Sequence, residues 1–169
     1  MSTTTPAPSL ALYHGTFSEF AIGDVITATK PTSFYPDVVR LLDAHRPARL
    51  PSRETCVFAT DTIAGAGTFI NKQPPVGGAK GRVYKVEMSG SCKAPFQLVV
   101  GIARRLEAAR PADTLVAEYW NPTLDWFFWE YFGPSFTVIE EVPVPPESQM
   151  SLFGVRYMKD ERFLLRMTA

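Results

Sequence analysis

Leu10-Ala11-Leu12-Tyr13-His14-Gly15-Thr16 is a short apolar run that closes on a histidine and a glycine. Such a run reads as a buried strand whose last residues open onto a turn. The chain has two histidines, and this one stands where a strand delivers side chains to the rim of a sheet. Gly15 has no Cβ, so a ligand or another strand can approach its backbone closely.

Working outward, Ile22-Gly23-Asp24-Val25-Ile26 turns the chain into a second short apolar segment. Cys56-Val57-Phe58-Ala59-Thr60-Asp61 is a strand running into the start of a small-residue helix. Gly81-Arg82-Val83-Tyr84-Lys85-Val86-Glu87-Met88-Ser89-Gly90 alternates Val83, Lys85 and Glu87 against Tyr84, Val86 and Met88, the pattern of a strand with one buried face. In this order the pieces resemble the motifs of the ADP-ribosyltransferase superfamily, in its histidine-tyrosine-glutamate branch, and are nearest to the small rifamycin ADP-ribosyltransferases. The resemblance runs from Leu10 to Gly90, about half of the chain. It implies an α+β fold of split antiparallel β-sheets flanked by helices, with NAD as co-substrate and no metal.

At 169 residues, 46% hydrophobic and 12% aromatic, the chain has material for one core. The expected organisation is a disordered Thr/Pro tail over residues 1–9 and a single domain over 10–169. Seventeen basic and seventeen acidic residues cancel, which removes any bulk attraction to nucleic acid or anionic membrane. No apolar run approaches the roughly 20 residues that cross a bilayer. The tail lacks the basic and apolar regions of a signal peptide. Cys56 and Cys92 read as free thiols of a cytoplasmic protein, and isolated histidines and cysteines show no metal-ligand spacing.

Pro36 to His45 carries apolar residues at Val38, Leu41 and Leu42, a helical face, with His45 near its end as a surface residue favoured by the helix dipole. Residues 62–71 continue as a helix that Asp61 or Thr60 caps. The glycine-rich stretch 74–81 lacks the Lys-Ser/Thr ending of a phosphate loop and precedes a strand. Residues 96–100 fit a helix or a strand, and the arginines of 104–110 read as a solvated charge run. Asn121-Pro122-Thr123 then begins an expected helix carrying Leu124, Trp126, Phe127, Phe128, Trp129, Tyr131 and Phe132, which Gly133-Pro134 stops. Residues 136–142 form a clear strand. Residues 152–156 and 162–167 supply edge strands or a terminal helix.

The resemblance also implies roles. Tyr13, His14, Gly15 and Thr16 would bind NAD: His14 orients the adenosine-side ribose by hydrogen bonding, and Gly15 binds the nicotinamide amide through its backbone. Phe58, where the family usually has tyrosine, stacks on nicotinamide, with Tyr84 as an alternative stacking residue. Glu118 is the candidate catalytic acid, since it adjoins an apolar segment where a carboxylate becomes partly buried. Pairing with Arg53 or an arginine of the 104–110 run is its alternative role. Asp125 and Glu130 are weaker options. The activity implied is transfer of ADP-ribose to a protein, nucleic acid or small-molecule acceptor. A catalytically degenerate nucleotide- or protein-binding module is the alternative, and a His/Glu hydrolase lacks any partnered nucleophile motif.

Overall fold

The computed structural model describes residues 10–29, 35–72 and 76–147. The tail 1–9, the loop 30–33 and the two C-terminal segments expected over 152–167 lie outside the described residues. Among the described residues seven strands occur in chain order: β1 Leu12–Thr16, β2 Val25–Thr27, β3 Val57–Thr60, β4 Arg82–Glu87, β5 Cys92–Pro95, β6 Trp129–Gly133 and β7 Ser135–Val142. Four helices accompany them: α1 Pro36–Ala44 after β2, α2 Ile63–Lys72 after β3, and α3 Phe96–Glu107 and α4 Asp113–Trp120 between β5 and β6. The fold class is α+β. All strand pairs are antiparallel, and the spatial order is β2-β7-β4-β1-β3-β6-β5.

The strands form one hydrogen-bonded sheet where two were expected, but a crease divides it. β1 and β3 share a single registered pair, Tyr13 with Thr60. β1 and β4 are paired through five residues. In a flat sheet β6 and β7 would lie about 19 Å apart, four strand spacings of about 4.8 Å. Pro134 alone separates Gly133 of β6 from Ser135 of β7, and two Cα steps of about 3.8 Å cannot bridge that distance. The half made of β2-β7-β4-β1 therefore folds over towards the half made of β3-β6-β5.

Two cores follow from this crease. On the outer face, α1, α3 and α4 pack Val38, Leu42, Leu98, Val99, Ile102, Leu115 and Tyr119 against Phe128 and Phe132. On the inner face, Val57, Ala59 and Tyr131 of one half meet Leu12, Tyr84, Val86, Phe136 and Val138 of the other. No helix residue takes part in that inner cluster among the described residues.

The aromatic stretch is the main correction to the sequence reading. Residues 121–128 form no regular element, and Trp129 to Gly133 form strand β6 in place of the expected helix. A strand buried on both faces shows no alternation, and over a short run its pattern equals that of a buried helix. The amides that a helix would have satisfied internally are held by distant side chains. Gln97, on α3, accepts from Phe127 N at 2.9 Å and Phe128 N at 3.0 Å. Arg105 also departs from a solvated run: it is 8% exposed, and its guanidinium donates to Pro111 O at 3.1 Å, closing the α3–α4 connection. No helix of the described residues is long and apolar enough to cross a membrane.

Candidate functional site

His14 lies on β1 between β4 and β3, with Tyr84 directly opposite on β4. Its Nδ1–H donates to Phe58 O at 2.7 Å, across the crease. Burial holds the imidazole pKa below its usual value, and the bond to Phe58 O pulls weakly the other way. The ring is therefore neutral near pH 7, with Nδ1 protonated and Nε2 left as an acceptor for a hydroxyl or amide. Phe136 packs at 4.8 Å and Phe20 at 6.2 Å between ring centres, which fixes the ring plane. Tyr84 is buried, and its hydroxyl accepts from Phe20 N at 3.0 Å, so it anchors the connector after β1. Thr16 ends the strand and takes Ser18 N on its hydroxyl at 3.0 Å.

The other residues expected beside His14 lie elsewhere. A Cβ built on Gly15 would stand 2.1 Å from Ala66 O, so the close approach at this glycine is taken by the backbone of α2. A helix, and not a strand, packs on that side. Tyr13 pairs with Thr60, on the alternate face from His14. Phe58 packs its ring against the outer core, with the Arg53 guanidinium 4.7 Å from the ring centre and Phe132 at 5.8 Å. His14 therefore meets Phe58 through the backbone, while the two rings occupy opposite faces of the sheet.

The expected acids are occupied as well. Glu118 is 6% exposed and accepts four hydrogen bonds. They come from Thr123 N at 2.9 Å, Leu124 N at 3.1 Å and Trp126 Nε1 at 3.0 Å on one oxygen, and Thr123 Oγ1 at 2.8 Å on the other. Burial pushes this carboxyl up, yet the donated bonds outweigh it and hold it below the ordinary carboxylate range. Glu118 is a clasp that ties the irregular stretch 121–128 to α4, and its partners are not arginines. Arg53 pairs with Glu130, both buried, and the Tyr119 hydroxyl donates to Glu130 at 2.7 Å while accepting from Arg53. Burial opposes the Arg53 charge, but Glu130 beside it prevails and the guanidinium is held more firmly protonated than usual. Asp125 is exposed in the irregular stretch.

The inner face presents residues that the sequence reading did not assign to the site. Ala59 pairs with Tyr131, and Tyr131 with Lys93, across β3, β6 and β5. Lys93 Nζ stands 4.0 Å from the Trp129 ring centre and 5.9 Å from that of Tyr131. The carboxyl of Asp61, one residue beyond β3, is near enough to the Tyr131 phenol for each to influence the other's pKa. Burial, with the Asp61 charge adding, pushes the Tyr131 phenol up to about 12, so it remains a donor. Burial likewise raises the Asp61 pKa. Asp61 was expected to cap α2, but Thr62 Oγ1 performs that task by accepting from Gly65 N at 3.0 Å. No local signal marked this face, because Trp129 to Gly133 is covered on both sides and its period is hidden.

His45 is exposed and bonds Leu41 O at 3.0 Å at the end of α1, as a surface histidine there should. Cys56 and Cys92 are both free, and burial, with Cys92 adding, pushes the Cys56 thiol up to about 11. Comparison with protein-family models and with curated proteins returned no match to this chain.

Proposed function

We propose that the chain is an NAD-dependent mono-ADP-ribosyltransferase acting along the inner face of the creased sheet. One observation carries the reading. The stretches 10–16, 56–61 and 81–90, which bear the resemblance and lie far apart in sequence, contribute the neighbouring strands β4-β1-β3, with His14 on the middle one. Breaking the bond between nicotinamide and ribose builds positive charge on the sugar, so the site must orient the ribose and exclude water. A neutral His14 with a bare Nε2 suits acceptance of a ribose hydroxyl. Trp129, half-buried beside the inner cluster, offers an aromatic face on that side of the sheet, and in this reading it takes the stacking role first expected of Phe58. Two free cysteines fit a reducing, cytoplasmic setting.

Calorimetric titration with NAD, together with assay of nicotinamide release, tests the reading. His14→Ala is expected to weaken NAD binding about tenfold, the equivalent of one good hydrogen bond at about 1.4 kcal/mol. Unchanged affinity removes His14 from the site, and absence of NAD binding by the wild type refutes the reading as a whole. The engagement of Glu118 and Glu130 in structural bonds favours one alternative, a nucleotide-binding module without turnover. Its signature is NAD binding with no release of nicotinamide, with or without added protein, nucleic acid or small-molecule acceptors.

A further inference from the structure

The two outer strands of the sheet, β2 and β5, are built differently. An outer strand offers free N–H and C=O groups to any other chain, and proteins commonly blunt it with proline or lysine. β5 carries both: Pro95 has no N–H to offer, and Lys93 is exposed. β2, with the sequence Val25-Ile26-Thr27, carries neither. Its charged neighbour Asp24 is turned back into the preceding turn, where the carboxylate accepts from Ala21 N at 2.8 Å. Val25 is 65% exposed, and Ile22 in that turn is 73% exposed. The hydrogen bonds to β7 show which backbone groups of this edge are spent. Val138 N donates to Asp24 O at 2.9 Å, and Val138 O accepts from Gly23 N at 2.8 Å. Bonded pairs alternate along an antiparallel ladder, so the next bonded pair is Ile26 with Phe136. The N–H and C=O groups of Val25 and Thr27 therefore point away from β7, and no described residue bonds to them.

We propose that β2 pairs with β2 of a second copy of this chain, antiparallel about Ile26, so that one sheet runs through both copies. The edge is complementary to itself in this register. Val25 stands opposite the partner's Thr27 and Thr27 opposite the partner's Val25, so each outward N–H and C=O of these residues meets its complement. Their side chains form β-branched pairs on the outer face, the kind that suits a pleated surface. Asp24 stands opposite the partner's Ala28, so like charges do not meet. The contact is short and belongs to the transient class of interfaces. β7 and β4 separate β2 from the strand of His14, and the pairing is independent of the NAD reading.

Sedimentation velocity of the full chain tests this. Over about 10–500 µM protein, the range of a weak interface, the wild type is expected to pass from monomer to dimer. Thr27→Pro removes only an outward N–H, and an outer strand tolerates proline at such a position. It is expected to weaken dimerisation about tenfold or more, with a thermal midpoint within about 3 °C of wild type. Val25→Lys, which supplies the missing guard, is expected to do the same. Leu10→Lys, at a residue 57% exposed on the far side of β7 and β4, is expected to leave dimerisation unchanged. Ile26 would meet its own copy as a non-bonded pair, with Cα atoms about 4.5 Å apart and within reach of a disulfide. Oxidised Ile26→Cys is therefore expected to give covalent dimer above the wild-type level, and Leu10→Cys is not. A wild type that stays monomeric over the whole range overturns the proposal and leaves the edge to a different chain. So does a dimer that folded Thr27→Pro and Val25→Lys leave intact, or one that Leu10→Lys weakens equally. If either edge variant does not fold, cross-linking decides, and no excess of covalent dimer from Ile26→Cys overturns the pairing.

Discussion

Replacing Glu118 separates a clasp from a catalytic acid. In the wild type one carboxylate oxygen receives three N–H donors and the other a hydroxyl, within a side chain 6% exposed. Glu118→Ala strips all four bonds and leaves the buried indole N–H of Trp126 without its acceptor. One such orphaned donor costs about 1–3 kcal/mol. The half-exposed amides of Thr123 and Leu124 recruit water and add less, so the expected loss is about 2–4 kcal/mol. At about 2–4 °C per kcal/mol for a chain of this size, the midpoint falls by about 4–16 °C. Glu118→Gln keeps one acceptor oxygen, and the Thr123 hydroxyl turns to accept from the new amide. What it loses is the charge assistance, about 1–2 kcal/mol. The pH dependence gives a second readout. The folded pKa lies below the unfolded value of about 4.3, so the contribution is whole above that pH and is lost as pH falls through the folded pKa. The stability gap between wild type and Glu118→Gln must therefore narrow in acid. Urea denaturation at pH 7 and at pH 3.5 measures both quantities. Wild-type stability in either variant, or a gap that widens in acid, refutes the clasp.

Two further expectations concern the frame around the site. Gly15→Ala drives a methyl towards Ala66 O from a starting separation of 2.1 Å, so α2 must shift off β1; a loss of about 1–3 kcal/mol is expected by thermal denaturation, and none would mean that the helix does not lie against this strand. Arg53→Met leaves Glu130 buried without its cation and is expected to cost about 3–5 kcal/mol. Adding Glu130→Gln should return part of that loss, since an amide still serves the Tyr119 hydroxyl; strictly additive losses in a double-mutant cycle would show that the two side chains do not interact.

The sequence by itself determined those elements whose signals are local. Alternation placed a strand over 82–88, and short strand-like runs placed others over 10–14, 56–59 and 136–142, where the structure has Arg82–Glu87, Leu12–Thr16, Val57–Thr60 and Ser135–Val142; apolar spacing of three and four placed a helix over 36–45, seen as Pro36–Ala44. A glycine needing close approach was also legible at Gly15, because its conformation and bareness are properties of one residue. What approached it was not, since Ala66 lies on a helix far away in the chain. Only the tertiary structure decided which carboxylates are spent. Sequence ranked Glu118 above Glu130 as an acid, yet each is fixed by partners that folding brings in, the loop donors of 123–126 and the Arg53–Tyr119 pair. The same holds for the face on which each residue stands. A strand covered on both sides hides its period, so Trp129 to Gly133 looked helical, and Tyr131, Lys93 and Asp61 came together only when β3, β6 and β5 paired within one half of the sheet.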